Sequence, residues 1–149
     1  MRLLLLLTIL LFVSSGCKKE QAVQPEDKGE KSLAYSFAIW NSYEYHNYTI
    51  DQIRQCYCPN GGEKMRVTVR DDTVMSVIRQ SDNKELSYSE ARWYLTVGSL
   101  FRKLQNPGQD SVTFSFNAVF GYPETVDINP QLHPQDGGAA YYTSNLRVP

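Results

Sequence analysis

The chain has 149 residues, and its 15 lysines and arginines nearly balance 16 aspartates and glutamates, for a formal net charge of −1. No block of like charge stands out, so we expect no nucleic acid or other polyanion as a partner. The length suits one domain with a single modest core.

The first residues have the pattern of a secretion signal. Met1 and Arg2 precede an apolar run from Leu3 to Val13 that only Thr8 interrupts. A membrane-spanning helix needs about 20 apolar residues, so this run is too short to be one. We therefore predict a signal peptide over residues 1–16.

The segment "SSGCKKEQ" follows, with Cys17 as its cysteine. Small residues directly before a cysteine resemble the lipobox of bacterial lipoproteins, in which the signal is cut before the cysteine and the cysteine carries a diacylglycerol thioether. Ser14 departs from the usual Leu, Val or Ile. The resemblance implies lipidation at Cys17 and a domain on the extracytoplasmic side of the cell envelope, anchored to the membrane by lipid. The alternative is ordinary cleavage that leaves Cys17 as a thiol.

Residues 17–31 are almost wholly polar and contain no aromatic side chain. Such a segment cannot bury enough apolar surface to offset its ordering entropy, so we predict a lipidated cysteine followed by a flexible tether. The folded domain is predicted over 32–149.

The first half of the domain predicts one helix followed by three strands. Leu33, Phe37 and Trp40 recur at helical spacing, which predicts a helix over 32–41. Segment 43–57 is rich in Tyr, Thr and Ile and predicts a long strand. The turn "PNGG" follows, and then "EKMRVTVR" and "TVMSVIRQ" read as an antiparallel pair of strands.

The second half predicts one helix followed by three more strands. In "TVGSLFRKLQ" the apolar residues fall on one helical face, Thr96 is the expected N-cap, and Pro107 ends the helix. "DSVTFSFN", "ETVDIN" and "AAYYTSNLRV" read as strands. The order α-β-β-β-α-β-β-β predicts an α+β fold, a largely antiparallel sheet with helices on one face. The predicted core comprises Trp40, Val67, Val69, Leu100, Phe101, Leu104, Phe114 and Phe116.

Several of these segments together resemble a known family. Trp40 is followed by "YEY", "CYC", "KMRVTVRDDTVMSV", "YLTVGSLFRKLQ" and "DSVTFSFNAVFGYPETVDINP". This order resembles the DUF6174 family of small secreted or lipid-anchored bacterial proteins. Two departures are Thr73 in place of a hairpin Gly, and Gly98-Ser99 in place of "DD". The resemblance implies the fold and the location, and no activity, because the family has none assigned.

Cys56 and Cys58 are the chemically unusual pair. If Cys17 is lipidated, they are the two cysteines that remain of three. On a regular strand their Cα atoms would lie about 6.6 Å apart, so a disulfide requires a bend at Tyr57. We favour a structural disulfide in an oxidising compartment. A redox-active pair, a metal site and two inert thiols remain open.

Tyr43, Tyr45, Tyr48 and Tyr57 form a candidate binding surface for a protein or small ligand. The alternative is ordinary sheet packing, which we favour because tyrosine is common on half-exposed strands.

The sequence offers no recognisable catalytic constellation, and it has no G-x-S-x-G elbow. His46 and His133 are isolated, and Asp127 and Asp136 fit turn chemistry as well as cation binding. We therefore expect no metal and no cofactor. The leading hypothesis is a non-catalytic binding or accessory module, and the alternative is a thiol-redox or metal-handling protein built on Cys56 and Cys58.

Overall fold

The structure is a computed structural model that describes residues 27–135 and 137–149. Its elements in chain order are α1 (Asp27–Ser42), β1 (Tyr48–Gln55), β2 (Lys64–Arg70), β3 (Thr73–Arg79), α2 (Tyr88–Ala91), α3 (Val97–Gln105), β4 (Val112–Phe116), β5 (Pro123–Ile128), a 3-10 helix (Pro130–Gln135) and β6 (Ala139–Arg147).

The strands form one six-stranded sheet in the order β3-β2-β1-β6-β5-β4, and every neighbouring pair is antiparallel. The predicted α+β class and the order of the main elements are confirmed. The sequence patterns missed the short helix α2 and the 3-10 helix, because neither is long enough to show a period.

The core lies between one face of the sheet and the helices. On β2, Met65, Val67 and Val69 are buried while their neighbours face outward, as the alternating pattern predicts. On α3 the buried residues are Val97, Leu100, Phe101 and Leu104. The alternating pattern of β2 and the helical spacing of α3 each leave one apolar face. The core forms where these two faces pack together.

Most of the predicted core is buried. Phe114 and Phe116 are half-buried instead, and the other six residues of that list are buried. The reason is topological, because β4 is an edge strand of the sheet. An edge strand has a neighbour on one side only, so its side chains receive less cover.

The predicted bounds of two elements are wrong, and β1 also ends at Gln55 instead of residue 57. Helix α1 begins at Asp27, so the last five residues assigned to the tether have helical backbone. Strand β1 begins at Tyr48 and not at residue 43, since the chain leaves α1 through a turn in which the Tyr43 N–H donates to the Trp40 carbonyl at 3.2 Å. Glu44 then has a positive φ of 51°, a left-handed conformation outside the range of regular strands.

The hairpin between β2 and β3 turns at Asp71 and Asp72. Both have positive φ, 46° and 58°, as a two-residue hairpin turn with the twist of its strands requires. Thr73, the position expected to replace a hairpin glycine, is the first residue of β3 and lies just after these two turn residues.

A buried carboxylate lies on the sheet face that points away from the core. Asp51 is 2% exposed, and three cations from the neighbouring strands lie close to its carboxylate. Lys64 Nζ is at 3.3 Å, Arg147 Nη1 at 3.5 Å and Arg66 Nε at 3.9 Å. Burial alone would raise the pKa of Asp51, but hydrogen bonds from Asn145 and Lys64 and the nearby positive charges outweigh it, so the pKa lies below 3.8. The carboxylate stays ionised and ties β1 to β2 and β6.

Within the described ranges, no helix is both long enough and apolar enough to cross a bilayer. The predicted signal peptide and Cys17 lie outside the described residues.

Candidate functional site

The chain bends sharply where β1 ends. The sulfur atoms of Cys56 and Cys58 lie at bonding distance, and their Cα atoms are 5.3 Å apart. A regular strand would hold these Cα atoms about 6.6 Å apart, so the bend at Tyr57 is what brings the sulfurs together. The covalent bond between them stays a prediction.

The turn that follows holds this bend in place. The Gly61 N–H donates to the Cys58 carbonyl at 3.0 Å, and the Gly62 N–H donates back to the Arg54 carbonyl at 2.9 Å. A side chain at Gly61 would collide with the Cys56 carbonyl oxygen, and Gly62 has a positive φ of 81°. Glycine is therefore required at Gly61 for steric reasons, and the backbone conformation favours it at Gly62.

A buried glutamine fixes a second segment beside the bend. Gln52 on β1 is fully buried, and its side-chain amide donates to the Leu95 carbonyl at 3.2 Å and accepts from the Leu95 N–H at 2.9 Å. Both ends of the amide are thus satisfied by one residue, as a buried polar group requires. The pair holds the segment after α2 against β1 and places Trp93 next to the cysteines.

Arg54 connects this segment to the sulfur atoms. Its Nη1 donates to Cys58 Sγ at 3.1 Å, and its guanidinium carbon lies 4.9 Å from the centre of the Trp93 ring. Arg92 stacks on the same ring at 4.8 Å. Both distances are typical of cation–π contacts. We call Arg54, Cys56, Cys58, Arg92 and Trp93 the CxC site.

A hydrogen-bond chain supports the site from β3. Arg79 donates to Asn60 Oδ1 at 2.6 Å, and Asn60 donates to Glu90 Oε1 at 3.1 Å. Glu90 also accepts from the Ser87 hydroxyl at 2.7 Å, and this bond, with those from Asn60 and the Ser87 N–H, lowers the pKa of Glu90 to about 2. Glu90 is therefore ionised at neutral pH and holds the turn against α2.

Two cavities meet at the CxC site. The small cavity, of about 340 Å³, is lined by Cys58, Glu90 and other residues of the turn and α2. The basic cavity, of about 530 Å³, is lined by both cysteines, Lys103 and others. Arg54, Cys58 and Trp93 line both, so they form the wall between them. Either volume suits a small molecule.

The four predicted surface tyrosines do not form one surface. Tyr48 is 1% exposed and its hydroxyl accepts from the Val97 N–H at 2.9 Å, so it belongs to the core and its assignment to a surface is wrong. Burial raises the pKa of Tyr48 to about 12. Tyr43 and Tyr45 stack on each other at 5.0 Å before β1 begins.

Tyr57 lies at the other end of β1, a strand roughly 23 Å long at about 3.3 Å per residue. Its side chain is 86% exposed and it lines the basic cavity. Of the four tyrosines, Tyr57 is the one that the structure places beside the cysteines.

The histidines pair with carboxylates away from the sulfur atoms. His46 lies in the loop before β1 and not within a strand, and its Nδ1 is 2.7 Å from Asp72, whose hydrogen bond and charge raise the pKa of His46. His133 Nε2 is 2.9 Å from Asp127 Oδ1. Asp136 lies outside the described residues. Among the residues described, no three His, Cys, Asp or Glu side chains are grouped to hold a metal ion.

A protein-family model matches residues 32–148, nearly the whole predicted domain, and its description is a family of unknown function, DUF6174. The chain belongs to DUF6174. Membership establishes the family and leaves the role of the protein unassigned. Searches of curated proteins and of solved structures each gave no match.

The sequence analysis of this DUF6174 chain missed the three residues that surround the cysteines. Arg54 could have been found from the sequence, because it lies two residues before Cys56 and four before Cys58. Arg92 and Trp93 could not, because contacts between residues far apart in the chain bring them to the bend, such as that between Gln52 and Leu95, which are 43 positions apart.

Proposed function

We propose that the protein is a lipid-anchored accessory module of the bacterial envelope that binds a small anionic ligand at the CxC site. The "SSGC" junction and the polar stretch after it support the anchor and a domain held outside the cytoplasm. The lipid on Cys17 would supply the contact with the membrane, and nucleic acid is not a proposed partner.

The charge of the basic cavity carries the binding proposal. Arg54, Arg92 and Lys103 line it, and Asp110 brings a carboxylate to the same lining. Positive side chains therefore outnumber negative ones among the described lining residues. The exposed rings of Tyr57 and Trp93, 86% and 47% accessible, flank this charge and offer apolar contact. A ligand with one anionic group and a small apolar body fits these walls.

Trp93 provides the readout for a binding test. A panel of small sulfonates, dicarboxylates and inorganic phosphate is titrated while tryptophan fluorescence is recorded. We expect a saturable change that Trp93→Phe abolishes, because the other tryptophan, Trp40, is buried in the core. Lys103→Gln should weaken binding about tenfold, the size of one lost charge-assisted hydrogen bond.

Arg70→Gln is the matched control, since Arg70 is an exposed cation at the far end of β2. It should leave the affinity unchanged. The proposal fails if every probe in the panel leaves the fluorescence unaltered, or if Arg70→Gln and Lys103→Gln weaken binding equally.

A second candidate function is thiol–disulfide exchange at Cys56 and Cys58. The contact between Arg54 Nη1 and Cys58 Sγ, at 3.1 Å, favours it. A cation beside a cysteine stabilises the thiolate, which is the reactive form. Arg54 thus supplies what the C-x-C sequence lacks, a positive group next to the sulfur.

A further inference from the structure

The two sulfur atoms of the CxC site have different surroundings. Cys56 lines the basic cavity, whereas Cys58 lines both cavities and accepts the hydrogen bond from Arg54. Both cysteines thus face the basic cavity, but the hydrogen bond from Arg54 goes to Cys58 and not to Cys56. The Arg54 guanidinium already contacts Cys58 Sγ before a molecule enters the cavity.

Arg54 is held firmly and has donor capacity to spare. Its guanidinium packs on the Trp93 ring at 4.9 Å, and its Nε is buried with no hydrogen-bond partner in the described part of the chain. A guanidinium carries five N–H donors in a fixed planar fork. A negative charge that appears on Cys58 would meet a donor already aimed at it, with no reorganisation of the site.

Thiol–disulfide exchange depends on which sulfur leaves. The attacking thiolate bonds to one sulfur and expels the other, and the more stabilised thiolate leaves faster. Because Arg54 contacts Cys58, the stabilised leaving group is Cys58 and the attacked atom is Cys56 Sγ. The attacking thiol then approaches from the basic cavity, past Arg92 and Lys103.

We propose that the Cys56–Cys58 pair exchanges with an anionic low-molecular-weight thiol, which attacks Cys56 Sγ from the basic cavity and expels Cys58 onto Arg54. This rests on the second candidate function above. The anionic group of the thiol lies against Lys103 and Arg92, which raise its local concentration beside Cys56.

The exchange balances in two steps. In the first, the thiolate RS⁻ forms a bond to Cys56 Sγ, the Cys56–Cys58 bond breaks, and its electron pair goes to Cys58. In the second, another RS⁻ attacks the sulfur of R in this mixed disulfide, releasing RSSR and the Cys56 thiolate. Two thiols are oxidised to one disulfide, the protein gains two electrons, and water supplies the protons for its two thiols.

Three thiols of similar size and different charge test the ligand class. The full-length protein in detergent is treated with 2-mercaptoethanesulfonate, 2-mercaptoethanol or cysteamine, and the loss of the disulfide is followed by acid quench and intact mass. Rates are compared per unit of thiolate. We expect the sulfonate to react about tenfold faster than cysteamine. Lys103→Gln should shrink that ratio and Arg70→Gln should leave it unchanged.

The site of attack is tested in the unaltered protein, so the result does not depend on a variant folding. Peptide mapping of the mixed disulfide trapped at early times should place the adduct on Cys56. As a second measure, the lone thiol of Cys56→Ser should be alkylated faster at neutral pH than that of Cys58→Ser, and Arg54→Gln should remove the advantage.

Each contrary outcome separates this inference from the function on which it rests. Equal rates for the three thiols, or an adduct on Cys58, would overturn the inference and leave exchange at the pair standing. A pair that no thiol reduces, or that is already free in the exported protein, would overturn both.

Discussion

Phe101→Ala should lower the free energy of unfolding by about 3–5 kcal/mol. Phe101 is fully buried, with its ring 5.0 Å from Phe37 on α1 and 5.7 Å from Phe116 on β4. Its loss leaves a cavity where α1, α3 and the sheet meet, and none of these elements can close it alone. Urea denaturation followed by tryptophan fluorescence measures the change.

Gln105→Ala is the control on the same helix, because Gln105 is exposed at the last position of α3. Its effect should stay within about 0.5 kcal/mol. A loss below that value for Phe101→Ala would show that the packing of α3 on the sheet is wrong.

Cys17→Ala should move the protein from the membrane fraction to the soluble fraction and abolish labelling with radioactive fatty acid. A lipid thioether requires the cysteine sulfur, and the apolar run before it is too short to hold the protein in a bilayer as a spanning helix. Detergent phase partitioning and metabolic labelling of cells that express the full-length chain provide the measurement.

The double variant Cys56→Ser/Cys58→Ser is the matched control, since it removes two thiols without touching the junction. It should fractionate with membranes as the unaltered protein does. If Cys17→Ala still partitions into the detergent phase, the protein is anchored in some other way.

The alternation of apolar and polar residues in strands and their spacing in helices predicted most of the fold. Both patterns depend only on residues that are close in the sequence. In β2 the apolar residues alternate with polar ones and are buried, and the α3 residues predicted for the core, Leu100, Phe101 and Leu104, are buried too. Thr96 was expected as the N-cap of α3, and its hydroxyl accepts from the Ser99 N–H at 3.1 Å.

Local sequence preference predicted the wrong structure where contacts with another element override it. The residues from Tyr43 to Asn47 have the composition of a strand, yet they form the turn off α1 and a loop whose His46 pairs with Asp72. Tyr48 was grouped with its exposed neighbours, and only the position of α3 shows that its hydroxyl caps a backbone N–H inside the core.

The CxC site could be predicted only in part. Its cysteines and the need for a bend followed from geometry, since residues two apart on a strand are too distant for a disulfide. The positive charge of the site and of the basic cavity beside it did not follow, because Arg92 lies in a segment fixed by Gln52, and Lys103 is on the exposed face of α3. No spacing rule joins residues from three elements so far apart in the chain.

The central claim is that Cys56 and Cys58 are joined at the end of β1, and intact mass of the exported protein tests it directly. The protein is alkylated under denaturing conditions, once without reduction and once after it. We predict that neither cysteine is alkylated before reduction and both are afterwards. Alkylation of both without reductant would contradict the claim, and protection that a chelator removes would replace the disulfide with a metal site.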